Sequence, residues 1–407
     1  MRTQPLDLND PDAFVARVPH ETFAHWRRTD PVHWTDEPDG PGHWSLFAYD
    51  EVCAANRDAE TFSSEVGGTL LMTPEEEVMA QLRMLMLNMD PPRHTRYRML
   101  VSRGFTPRVI RQLEEHIVDT TRAIVDRVIG RGECDFVTDL AAELPLQVIA
   151  EMMGVPQEDR HKLFEWSNRM IGSDDPEYQV GEDAQSQAQM ELFAYAQSLA
   201  EERRAHPHDD ILSTLLQAEV DGDRLSELEL NLFFLLLAVA GNETTRNLTA
   251  HGMHALFEHP DERKKLQADM SLLPSAIEEM LRWGTPVMYF RRTATRDVLL
   301  RDKQIAQGDK VALWYISANR DESQFEDPYE FRVGRAPNEH IAFGGKGPHF
   351  CLGANLARVE LRAIFHEVLT RMPDMEPTAE PQRLRSNFIN GIKHIPVSFT
   401  PSGRELI

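Results

Sequence analysis

The chain has 407 residues, of which 41% are hydrophobic, 27% charged and 8% aromatic, enough apolar material for a large core. Its formal net charge of −23 excludes nucleic acid and anionic membranes as natural partners, because their phosphates repel it. Cys53, Cys134 and Cys351 form no CxxC pair and are too few for a disulfide framework, so a reducing, cytoplasmic setting is expected.

The N-terminal stretch MRTQPLDLNDPDAF lacks the apolar run of a signal peptide, and the most apolar run, 232–240, is too short to span a bilayer. Residues 43–50 read as a short strand. Segment 61–92 carries Gly67, Gly68, Pro74, Pro91, Pro92 and five methionines (Met72, Met79, Met84, Met86, Met89), which predicts an irregular, adaptable stretch. Thr106-Pro107 opens a helix, with Ile110, Leu113, Ile117, Ile124 and Val128 on one apolar face. Further helices are expected near 141–153, 159–171 and 184–204. Ser226 and Glu229 form a capping box that starts a long helix reaching Glu258, just before Pro260. A shorter helix, 274–283, stops at Gly284. Strands follow between Val287 and Tyr315, then a loop-rich stretch 321–350, a helix 353–371 and a terminal strand pair within 384–400. The fold class is mainly α with a small β region, and no boundary divides the chain, so one domain, 1–407, is expected.

The segment Phe343-Gly344-Gly345-Lys346-Gly347-Pro348-His349-Phe350-Cys351-Leu352-Gly353 precedes a helix. A thiolate ligand needs its charge stabilised, and a Gly-rich loop together with a helix N-terminus offers N–H groups for that. Glycines also let the backbone approach a flat macrocycle. The segment resembles the haem-binding loop of cytochromes P450. Phe343 lies eight residues before Cys351 where the family places it seven before, so one residue is inserted in the glycine run. That insertion is similar to the loop of actinobacterial P450s that oxidise sterol side chains and methyl-branched lipids.

Ala240-Gly241-Asn242-Glu243-Thr244-Thr245 sits inside the long helix. Glycine and polar side chains are costly in an apolar helix. The segment reads as a local opening that admits dioxygen and water, and it resembles the family's acid–alcohol pair. The resemblance implies Thr244 as the hydroxyl beside the reacting oxygen and Glu243 as a general acid relaying protons through water. Thr245 reads as structural.

Glu279 and Arg282 share a helix face at i, i+3. The resemblance makes them a buried pair completed by Arg335, with a structural role. His94 and Arg98, at i, i+4, would serve the haem propionates, joined by His349 from the loop and by Arg292, for which Arg291 is a rival.

The matching motifs run in family order from residue 94 to residue 353, and the resemblance extends through the tail RLRSNFINGIKHIPV. It implies a triangular-prism fold with a long central helix over haem b, Cys351 as the ligand to iron, and Ala240, Gly241, Phe343, Gly344 and Gly353 against the cofactor. It also implies dioxygen as co-substrate and NAD(P)H-derived electrons from a separate ferredoxin with its ferredoxin reductase, acting on a monomer. Arg93, Arg96, Arg103, Lys346, Arg358 and Arg362 form the candidate ferredoxin dock. The expected substrate is apolar and elongated: a sterol, a terpenoid or a branched fatty chain. Leu236, Leu237, Val239, Ala240, Val287, Met288, Tyr289, Phe290, Phe388 and Ile389 would surround it. An aromatic or macrocyclic natural product is the alternative substrate. A peroxygenase is disfavoured because Glu243 and Thr244 are both present. A haem-binding sensor is disfavoured because no residues remain for an output domain.

Overall fold

Apolar residues at helical spacing account for most of the architecture. In the computed structural model, which describes residues 7–403 apart from 39, 173, 180, 182, 221 and 222, the helix Pro107–Val128 buries Ile110, Ile117, Ile124 and Val128. Thr106 caps it by accepting from the Val109 amide, and Pro107 occupies its first turn. The helices Glu143–Met153, Arg160–Ile171 and Ala184–Ala205 follow where the sequence places them.

The helix Glu227–Glu258 is the axis of the molecule. Its 32 residues span about 48 Å at 1.5 Å per residue. The Ser226/Glu229 capping box is formed. The helix packs against Glu143–Met153, Arg160–Ile171, Ala184–Ala205 and Leu273–Gly284, and most of its residues are buried. The helix Leu273–Gly284 ends at Thr285, which takes the left-handed conformation (φ 37°), one residue beyond the glycine expected to stop it.

The main sheet has five strands in the order Val32–Thr35, His43–Leu46, Lys310–Trp314, Tyr289–Ala294, Phe62–Ser63. The strand expected over 43–50 stops at Leu46, and a helix, Tyr49–Arg57, begins three residues later. Segment 61–92 is more ordered than expected, with a short helix, Glu76–Leu82, and a 3₁₀ turn at Met86–Asn88.

The C-terminal strands differ from a simple pair. Gln382–Arg383 pairs with Ile392–His394, whereas Pro396–Ser398 joins Glu376–Pro377 and Glu133–Asp135 in a separate sheet. The chain between them is drawn elsewhere: the Met288 amide donates to Phe388 O (2.9 Å) and the Asn390 amide to Pro286 O (2.8 Å). Backbone partners in 286–288 thus replace the ladder that a longer hairpin would need. Among the described residues, no helix is long and apolar enough to cross a membrane.

Candidate active site

Three elements frame one cleft: the helix Arg93–Ser102 reaches the central helix through Tyr97 and Glu229, and the loop before Ala354–Arg371 through Arg98 and Phe350 O. In the loop, Gly344 and Gly345 adopt φ of 87° and 66°, which residues with a side chain rarely reach. This turn carries the chain back so that the Cys351 amide donates to Phe343 O at 2.9 Å. Cys351 stands three residues before Ala354, the first residue of the helix Ala354–Arg371; the residue is exposed, yet enough protein surrounds its thiol to desolvate it. That burial pushes its thiol up, while the Gly353 amide and the Arg98 and Arg358 guanidinium groups favour the thiolate. A Cβ added at Gly353 would meet nothing within 4 Å, so space is open beside it.

Four cation-capable side chains line one edge. The His94 and His349 rings lie 4.1 Å apart between centroids, with Arg98 donating to Phe350 O and Arg292 to Arg291 O (2.8 Å). Burial and the neighbouring Arg98 and Arg292 hold His94 down at about 4, and burial and Arg292 hold His349 well below the usual histidine range. The carboxylate that opposes this at His94 is Asp90, already engaged by Ser63 Oγ and the Ser64 amide. The buried Nδ1 of His94 has no hydrogen-bond partner. The edge therefore carries the two guanidinium charges of Arg98 and Arg292 beside two neutral imidazoles.

Across the cleft, the central helix buries most of its surface but leaves Leu236, Val239, Ala240, Gly241 and Thr244 partly or fully open along one stripe. Thr244 Oγ donates to Ala240 O at 2.9 Å.

The match to known proteins follows this geometry. Residues 75–381 match the family model for cytochrome P450. The chain is 42% identical over 408 residues to a steroid C26-monooxygenase of Mycolicibacterium smegmatis, covering 98% of this chain and 95% of that protein. It is 46% identical over 389 residues to a methyl-branched lipid omega-hydroxylase of Mycobacterium tuberculosis, covering 93% and 90%. A Mycobacterium marinum cytochrome P450 solved in complex with pseudoionone superposes with a TM-score of 0.91 at 39% identity, covering 98% of this chain and all of that one.

The chain is a cytochrome P450. It is a monooxygenase that uses haem iron, dioxygen and NAD(P)H-derived electrons delivered by redox partners. The residues present fit the haem of this P450 fold. The orphaned His94 nitrogen, the His349 ring and the Arg98 and Arg292 guanidinium groups suit two propionates, the accessible Cys351 suits the iron, and the open side of Gly353 suits a flat ring.

Strand alternation separates the two rival arginines. Arg292 joins the His94 cluster and reaches Asn56 Oδ1 (3.5 Å), whereas Arg291 turns away and donates to Leu70 O, Leu71 O and Thr73 Oγ1.

The central helix of this P450 runs unbroken through Ala240–Thr245, so the local opening expected there is not a break in the helix. Gly241 has a packing reason instead: a Cβ on it would come 2.8 Å from Ile149 Cγ1. Glu243 is 1% exposed and faces the helix Arg160–Ile171 rather than the cleft. It accepts from Ser167 Oγ (3.4 Å) and pairs with Arg246, which is held by Asn168 Oδ1 at 2.7 Å. Burial pushes the Glu243 carboxyl up and Arg246 opposes it. The i, i+3 spacing of Glu243 and Arg246 is visible in the sequence, but Ser167 and Asn168 lie 76 and 78 residues from their partners and carry no local signal. Glu360 was also silent in sequence. It is 3% exposed and bonded to Thr245, and burial pushes its carboxyl up to about 8.

Glu279 is buried and accepts from Arg282 (2.8 Å twice), Arg335 (3.0 Å), the Arg332 amide (3.0 Å) and Asn338 (3.1 Å). Both guanidinium groups also take carbonyls of the 319–330 meander.

Among the expected pocket residues, Val287, Phe290 and Phe388 are half-buried, and Phe290 and Phe388 meet at 5.7 Å. Met288 is not in the cleft: it is fully buried with Trp314 and Tyr289 in an inner aromatic cluster. Ile389 is 3% exposed and bridges to Val287 through the backbone, and Leu237 joins the core. A separate depression of about 460 Å³, lined by His116, Thr120, Glu151 and Arg203, includes none of the signature residues.

Proposed function

We propose that this P450 hydroxylates an elongated, mostly apolar molecule near one end: a sterol side chain, a terpenoid or a methyl-branched fatty chain. The observation that carries this reading is that Leu236, Val239 and Ala240 stay open on a helix that otherwise buries most of its residues, while Phe290 and Phe388, 5.7 Å apart between ring centroids, stay only half-buried. The activities named for the steroid C26-monooxygenase and methyl-branched lipid omega-hydroxylase relatives support it. An aromatic or macrocyclic product is the second reading, because the Phe290–Phe388 pair also suits flat rings.

When bound, haem supplies activation of dioxygen. The chain's own residues do the rest. Cys351 would hold the iron, with the Gly353 amide and Arg98 favouring its thiolate. His94, Arg98, Arg292 and His349 would hold the propionates. Thr244 offers a hydroxyl at the stripe's centre, bonded to Ala240 O, and can turn it toward the cleft. Glu243 is the proton reservoir one residue away, and it must leave Arg246 and Ser167 to reach cleft water. The reading includes one domain over residues 1–407, a monomer, and a cytoplasmic setting, for which the three free cysteines speak.

Electrons come from a separate ferredoxin, supported by the basic Arg93, Arg96 and Lys346 around the cysteine side of the cleft. Met99, on the same helix as Arg93 and Arg96, and Phe350, in the same loop as Lys346, are exposed. Arg358 and Arg362 pair closely with Glu278 and Glu114 (2.7 and 3.0 Å), and Arg93 and Lys346 more loosely with Glu65 and Glu339 (both 3.9 Å); the Arg103 side chain lies outside the described residues.

Titration of the ferric enzyme with matched panels of cholestenones, branched fatty acids and aromatic metabolites tests the substrate class through low- to high-spin conversion. Spin shifts with the first two panels are expected; shifts confined to the aromatic panel overturn the reading.

A further inference from the structure

Residues 64–89 leave and re-enter the fold at one place. There, Asp90 accepts from Ser63 and from the Ser64 amide (2.8 Å), and His349 Nε2 bonds Met89 O at 3.0 Å. Above this base the backbone at 69–71 has no strand partner, and its carbonyls are taken by cations instead. The Arg291 amide donates to Thr69 O (2.8 Å). The Arg291 guanidinium donates to Leu70 O and Leu71 O, both at 3.3 Å, and to Thr73 Oγ1 at 2.7 Å. Lys310 Nζ donates to Leu71 O at 3.1 Å. Gly67 makes room for this grip, since a Cβ there would lie 2.1 Å from Arg291 Nη2.

Arg291 and Lys310 are both buried, and buried cations need a counter-charge. Glu37 supplies it. Its Oε2 accepts from Lys310 at 2.7 Å and its Oε1 lies 3.6 Å from His43 Nδ1. His43 is fully buried, and burial pulls it below the usual histidine range, so it adds no full charge. Glu37 is also the leading charge opposing the burial of Arg291. The gripped segment feeds the cleft wall: Leu71 packs with Met288 and Tyr289, and the next strand residue, Phe290, meets Phe388.

We propose that Glu37 is a positioning residue for substrate: through Lys310 and Arg291 it fixes residues 69–73 as a ledge that shapes the apolar cleft. The ledge's bearing on substrate rests on the reading of that cleft given above; the grip itself does not.

The test uses the haem-loaded enzyme, wild type and three variants: Glu37→Gln, the double change Glu37→Met with Lys310→Met, and Thr73→Val. Two readouts are taken: amide hydrogen exchange over 69–73, and dissociation constants for cholest-4-en-3-one and for imidazole, which needs only the iron. Glu37→Gln is expected to speed exchange at 69–73 and to weaken sterol binding about tenfold, leaving imidazole unchanged. The double variant removes both charges, but it also loses the Lys310–Leu71 bond and leaves Arg291 without its counter-charge, so it is expected to stay as weak for sterol as Glu37→Gln. Thr73→Val, at an exposed site, loses one ledge bond and weakens sterol binding about threefold. If Glu37→Gln does not fold, the other two variants decide by the same readouts. Unchanged exchange and sterol affinity overturn the proposal, and so does an equal loss for sterol and imidazole. If the wild type binds no sterol or branched lipid, the substrate reading falls, and exchange alone still judges the grip.

Discussion

Glu243 and Thr244 are neighbours in sequence but point about 100° apart on the central helix, and their chemistry divides accordingly. Thr244→Ala should keep haem and ligand binding while more NADH is spent on hydrogen peroxide, measured as product formed per NADH consumed. Unchanged coupling would remove Thr244 from proton delivery. Glu243→Gln keeps the shape and removes the acid, so turnover should fall about a hundredfold with sterol affinity intact. Asn168→Ala loosens Arg246, and the expected outcome is a smaller solvent deuterium isotope effect on turnover, because the acid leaves its clamp more readily. Glu360 gives a stability signature. Its folded carboxyl is raised to about 8 from an ordinary 4.5, so the folded state binds the extra proton between those values. Its contribution is full at low pH and is lost as pH rises toward 8, by up to about 1.4 kcal/mol per pH unit. Denaturant titrations from pH 5 to 8 should show this decline in the wild type and a flatter profile in Glu360→Gln.

Helices were the most legible elements, because their signals are local. The Thr106-Pro107 start and the Ser226/Glu229 box need only four residues of context, and both caps form. What escaped was decided by contacts distant in sequence. The tip 384–391 looks like a hairpin until 286–288 claims its backbone bonds. Met288 alternates like a pocket residue but is claimed by Trp314 and Phe14. Gly241 is the instructive case, since its sequence context spoke for chemistry and its surroundings speak for packing. Gly241→Ala gains up to about 1 kcal/mol of helix propensity and meets Ile149, a clash that costs about 1–3 kcal/mol. A net loss of stability is expected, and in a double-mutant cycle Ile149→Ala, which removes the Cγ1 and Cδ1 that the new methyl meets, should offset part of it. Glu279→Gln strips the charge from a five-donor acceptor and should cost about 3–5 kcal/mol, read by chemical denaturation.

At the scale of the whole molecule, the family, the ligand loop and the order of motifs were readable, because each is a short string at a fixed offset from Cys351. The partition of cations was not. Arg291 and Arg292 are adjacent letters serving different structures, and Arg358 is taken by Glu278 and the Phe343 ring. A net charge of −23 makes any basic patch stand out in the long-range field. Ferredoxin-dependent reduction should therefore slow with ionic strength, and charge reversal of Arg96 and Lys346 to Glu should lower its rate without changing sterol affinity. Rates indifferent to both would move the dock elsewhere.

The base of segment 64–89 separates two selective pressures. Because Asp90, Ser63, Ser64 and Met89 close it beside His349, the stem is bound to cofactor retention. Between ledge and stem, residues 75–78, 80 and 81 lie open to solvent, and Arg83 ties the far end back to Glu65 O and Val66 O. Lengthening a loop whose ends are already pinned costs little entropy. An ancestor of this fold could thus try new residues and new lengths there without forfeiting its haem, and substrate range can drift among descendants while the oxidising apparatus stays fixed.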